Sequence, residues 1–95
     1  MTKAEIIALR HRLGLERAAF ARITGTDVRT VTRWETGACE PSGTSLSVLT
    51  GIREALDQHP ERAEAMVRYI ARAAAMGGLS YLLVKLLSAV VPSEP

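Results

Sequence analysis

Between Ile6 and Val90 apolar residues return every three or four positions, and nowhere does apolar-polar alternation last long enough to build a strand. Such spacing puts one apolar stripe on each helix, so the sequence predicts an all-α fold. Breaks fall at Gly14, at TGTD (24–27), at TGACEPSG (36–43), at DQHP (57–60) and at the glycine pair 77 and 78, which makes six segments. The predicted helices cover residues 3–13, 17–23, a short stretch after Asp27, a stretch from Ser42 or Thr44, residues 60–76, and a last one from Leu79 to Val90.

Several boundaries have a local cause. Gly14 suits the left-handed residue that stops the first helix, and the carboxylate of Asp27 can cap the free amides of the third. Pro60 is favoured in a first helical turn. The fourth helix buries Leu46, Leu49, Ile52 and Leu56, with Gly51 placed to admit a close neighbour. In the fifth, Ala63, Ala71, Ala73, Ala74 and Ala75 keep the cylinder thin, while Met66, Val67 and Ile70 supply the bulk. Leu79, Leu82, Leu83, Leu86, Leu87 and Val90 form an unbroken stripe on the sixth.

A chain of 95 residues with 47% hydrophobic content suits one compact domain carrying an oligomerisation element. The division expected is 1–57 as the functional domain and 58–95 as a two-helix extension. Twelve basic against ten acidic residues leave a formal charge of only +2, so attraction for a polyanion must come from where the charges sit. Cys39 is the sole cysteine, which rules out an intramolecular disulfide and fits a reducing cytoplasm. The charged N-terminal stretch lacks the apolar run of a secretory signal, and the C-terminal apolar run is interrupted by Lys85, so no membrane association is expected.

The third helix, DVRTVTRWETG, has two unlike sides. At about 100° per residue, Val31, Trp34 and Glu35 share one side, while Arg29, Thr32, Arg33 and Thr36 share the other. The apolar side is core, since an indole buries a large area. Preceded by a short helix and a turn centred on Gly25, it has the punctuation of a helix-turn-helix. Guanidinium forks match guanine O6 and N7 in a major groove, so Arg29 and Arg33 are the candidate base contacts. Thr30, Thr32 and Thr36 are candidate base or phosphate contacts, and Val28 can meet a thymine methyl. In the alternative reading these residues are a solvated face.

The pattern LGLERAAFARITGTDVRTVTRWETG followed by PSG resembles the Xre, or lambda-repressor-like, helix-turn-helix family over roughly residues 3 to 56, matching at Ala19, Ala21, Gly25, Val31, Trp34, Glu35 and Gly37. The resemblance implies a DNA-binding fold with the third helix as reading helix, and a structural ion pair between Arg10 and Glu35. It also puts Arg17 where the family has a glutamine that reaches a phosphate. Glu16 departs from the usual serine or threonine cap, and the loop around Cys39 and Glu40 lacks the lysines common there.

One short reading helix covers few base pairs, so double-stranded DNA with a palindromic operator and a homodimer are the expected partners. The expected activity is transcriptional repression. Met66, Ile70, Leu79, Leu82, Leu83, Leu86, Leu87 and Val90 are the candidate seam. Two alternatives stay open: the last helix completes its own core, or the C-terminal helices engage a protein partner, as an antitoxin engages a toxin. Catalysis is not expected. His11, His59 and Cys39 have no sequence neighbours that build a nucleophile, acid-base pair or metal site, and no cofactor is called for.

Overall fold

The computed structural model describes residues 1–79. They form α1 (Lys3–Leu13), α2 (Arg17–Thr24), α3 (Val28–Thr36), α4 (Gly43–Gln58), a 3-10 turn at Pro60–Arg62 and α5 (Ala63–Met76). The described residues are all-helical, without a strand. The predicted sixth helix lies outside them from position 80 onward.

Helix starts differ in how their free amides are met. Thr2 and Glu5 cap α1 reciprocally: the Glu5 amide donates to Thr2 Oγ1 at 3.2 Å and the Thr2 amide to Glu5 Oε1 at 2.8 Å. At α3 the Thr30 amide donates to Asp27 Oδ1 at 2.8 Å, and this bond holds the Asp27 carboxyl below its usual range. No side chain caps α2 or α4. Pro60 does not open α5 as expected. The Arg62 amide bonds back to the His59 carbonyl at 2.9 Å, a three-residue spacing that makes a tight turn, and the α-helix starts at Ala63.

The helices surround one core. Ile6, Leu9 and Leu13 of α1, Phe20 and Ile23 of α2, Val31 and Trp34 of α3, Leu49, Ile52 and Leu56 of α4, and Ile70, Ala73 and Ala74 of α5 are all buried in it. Leu46 is only half-buried. Gly51 has no neighbour where its side chain would be; it lines an open groove instead of a close helix crossing. The small face of α5 does permit close packing, through Ala73 and Ala74.

Two long-range junctions hold α2 in place. Thr24 is buried, and its hydroxyl donates to the carbonyls of Phe20 (3.0 Å) and Ala21 (3.1 Å), while its own carbonyl accepts from Ser45 Oγ at 2.9 Å and so ties down the start of α4. On the other side Arg22 Nε donates to the Ala74 carbonyl at 2.8 Å, satisfying a free acceptor at the end of α5. Gly78, at φ 62°, lies so close that a β-carbon there would fall 2.7 Å from the Arg22 carbonyl oxygen. Leu79 then covers the turn after α2: a β-carbon on Gly25, whose φ is 74°, would fall 2.5 Å from Leu79 Cδ2.

Candidate nucleic-acid interface

The candidate site starts from the turn between α2 and α3. Gly25 leaves α2 in the left-handed conformation, the Thr26 amide donates to the Ala21 carbonyl at 2.9 Å, and Asp27 then caps α3. Ala21 is buried and Ala19 half-buried where α2 meets α3. With Val31 and Trp34 fixed in the core, the opposite side of α3 faces outward.

On that side Arg29, Arg33 and Thr36 are exposed, and Thr30 and Thr32 are half-buried. Val28 is 44% exposed at the start of the helix. Among the described residues the guanidinium groups of Arg29 and Arg33 have no hydrogen-bond or salt-bridge partner. The contrast is with Arg12 and Arg53, which bond at 2.7 Å to Asp57 and Glu5 and tie α1 to α4 at the surface. Thr36 donates its hydroxyl to the Arg33 carbonyl at 3.3 Å and retains acceptor capacity.

Beneath this face lies a charged cluster. Arg10 donates from Nε to Glu35 Oε2 at 2.6 Å and from Nη2 to Glu35 Oε1 at 3.1 Å, a two-bond fork across α1 and α3. Its third donor, Nη1, bonds the Leu15 carbonyl at 3.1 Å and holds the chain between α1 and α2. Arg17 Nε also donates to Glu35 Oε1, at 3.1 Å. Side-chain exposure grades outward: 2% for Glu35, 14% for Arg10 and 46% for Arg17. Burial by itself would push the Glu35 carboxyl up. The bonds and charges of Arg10 and Arg17 together outweigh burial and hold the carboxyl below its ordinary value.

Arg17 is the first residue of α2. Glu16 precedes it without a side-chain capping bond, and the first backbone bond of the helix runs from the Phe20 amide to the Glu16 carbonyl at 2.9 Å. The amides of the first turn and the Arg17 guanidinium therefore present donors at the same end of α2. The sequence placed Arg17 at this end but gave no sign of its bond to Glu35, which joins residues brought together only by the packing of α2 on α3.

Of the residues assigned to a seam, Ile70 is 6% exposed and sits in the chain's own core, Met66 is half-buried beside a groove, and Leu79 covers Gly25. Leu82, Leu83, Leu86, Leu87 and Val90 lie outside the described residues. The groove, about 830 Å³, runs between α4 and α5 and is lined chiefly by apolar residues, among them Val48, Ile52, Met66 and Ile70. No group of three or more potential metal ligands occurs among the described residues, and no described helix is long and apolar enough to cross a membrane.

Over the described residues, fold and site together define an all-helical unit with a helix-turn-helix whose second helix is buried on its tryptophan side and open on its arginine side. Over 57 residues the chain is 33% identical to the antitoxin HigA-2 of Vibrio cholerae serotype O1 (strain ATCC 39315 / El Tor Inaba N16961), an alignment that covers 60% of this chain and 51% of that protein. The chain thus spans about half the length of the curated relative it matches. No family model and no solved structure matches the chain.

Proposed function

We propose that this protein is a sequence-specific regulator of transcription that binds double-stranded DNA, a homodimeric cytoplasmic repressor of the Xre type that lays α3 in the major groove of a palindromic operator. The outward row of α3 is the observation that carries this reading: Arg29 and Arg33 stand exposed on a helix whose other side is locked into the core. Arg29 and Arg33 serve as forks for guanine, Val28 meets a thymine methyl, Thr30, Thr32 and Thr36 contact bases or phosphates, and Arg17 grips the backbone. The Arg10–Glu35 pair is structural. It touches no DNA and keeps α1 and α3 in register. Similarity to a protein named an antitoxin supports a regulatory, non-enzymatic role.

Replacing Arg29 with alanine is expected to weaken binding to a selected operator by about 1–3 kcal/mol and to relax base preference at one position. Selection of duplexes from a random pool, with wild type and variant in parallel, measures both. Unchanged affinity and preference in the variant removes Arg29 from the reading surface. The same selection gives half-site spacing, which a two-fold dimer sets at about 34 Å, one turn of DNA.

In this reading residues 1–57 recognise DNA and residues 58–95 join two copies, although Ile70, Ala73 and Ala74 of α5 also complete the core of their own chain. Leucines at 82, 83, 86 and 87 with Val90 supply the seam, helped by Met66 and Leu79. Changing Leu83 and Leu86 to glutamate is expected to halve the mass in solution while leaving the helical spectrum of the folded chain. A folded variant at wild-type mass places the seam elsewhere.

The groove between α4 and α5 favours a second reading, in which the C-terminal helices engage a protein partner as an antitoxin engages its toxin. That reading expects a co-purifying partner and weak DNA binding by the chain alone, which the same duplex selection reveals.

A further inference from the structure

Glu35 accepts from two arginines at once, and their remaining donors point to different tasks. Arg10 uses Nε and Nη2 on Glu35 and Nη1 on the Leu15 carbonyl, so its guanidinium is engaged within the protein. Arg17 gives Glu35 only Nε, and its two terminal nitrogens have no partner among the described residues. One carboxylate between two guanidinium groups leaves a net charge of +1, and the more exposed member, Arg17, carries it to the surface. There it stands beside the uncapped first turn of α2, whose amides are donors of the same polarity.

We infer that Glu35 is a positioning residue for DNA binding: it holds Arg17 by Nε so that the two terminal nitrogens meet a backbone phosphate without a search through rotamers. The inference rests on the DNA-binding reading and deepens it. A free arginine loses rotamer freedom when it grips a phosphate. One already held by a buried carboxylate has lost that freedom during folding, and the saving appears as affinity. Because Arg10 already neutralises Glu35, holding Arg17 does not cancel its attraction for phosphate. A lysine at this position keeps the charge, but its three donors share one nitrogen at the end of the stem, so it cannot be held through an inner nitrogen while outer ones grip the phosphate.

The experiment compares wild type, R17K and R17A on a duplex of random sequence over a series of salt concentrations. R17K leaves the Arg10–Glu35 fork intact and is expected to fold. Its expected affinity is about three- to tenfold below wild type at each salt, as one side chain must now be immobilised on binding. Its salt slope stays at the wild-type value, whereas R17A loses about 0.9 from the slope, one phosphate's worth of counterion release. In an E35A background, where no acceptor remains for Arg17 Nε, the R17K penalty is expected to disappear.

Wild-type affinity in R17K overturns the inference and leaves the DNA-binding reading standing. A full R17K penalty in folded E35A also overturns it, by showing that Glu35 does not hold the arm. Absence of any salt-dependent duplex binding by the wild type sinks the reading, and the inference with it.

Discussion

Trp34→Ala is expected to lower stability by about 3–5 kcal/mol, a large part of what a domain of this size possesses. The indole is buried on the inward side of α3, next to the equally buried Val31, and together they are the apolar anchor of that helix. Truncation leaves a cavity that the short α3 can fill only by shifting. Denaturant titration followed by circular dichroism measures the loss; tryptophan emission does not serve, because Trp34 is the sole tryptophan. A shift of α3 also moves Arg29 and Arg33. Operator affinity should therefore fall further than the unfolded fraction explains. A variant that binds normally once corrected for that fraction shows that the outward row does not depend on its anchor.

Glu35→Gln is expected to cost about 3 kcal/mol at neutral pH, the lower end for breaking a buried pair, since Arg10 keeps some contact with water. The loss should depend on acidity. Burial opposes the charged form of Glu35, but bonding to Arg10 and Arg17 prevails and depresses the folded-state pKa. A depressed carboxylate contributes stability that is present above its unfolded pKa and is lost as pH falls through the folded one. The gap between wild type and variant should thus be widest at pH 7 and close in acid, where the protonated carboxyl resembles the amide. Glu5, Asp27 and Glu61 are depressed too, but they remain in both proteins and cancel in the difference. Urea titrations of both proteins from pH 7 to about pH 3 check this. A gap that does not change with pH assigns the cost to packing, not charge.

Helix faces were the part of this molecule most open to reading from the residues. The period that put Val31 and Trp34 inside and Arg29 and Arg33 outside is a local property of α3, and Asp27 and the glycines at 14 and 25 announced their caps through backbone preference. The capping box of α1 was written in the same local terms, as TKAE, but was not anticipated. What periodicity does not encode is which partner a long side chain chooses across the fold. Arg22 finds Ala74 at a separation of 52 residues, and Arg17 finds Glu35 at 18. An arginine stem reaches several acceptors, and only the packed arrangement decides among them. Thr24 was equally silent: a hydroxyl beside a turn looks like surface until α4 closes over it.

The junction of α5 with α2 also bears on the turn that sets the direction of α3. With Arg22 bonded to Ala74, Gly78 against Arg22, and Leu79 seated on Gly25, the departing chain has its footing on the bend that aims α3. The chain that leaves α5 is thus anchored, at Ala74, Gly78 and Leu79, on the end of α2 and the turn that leads into α3.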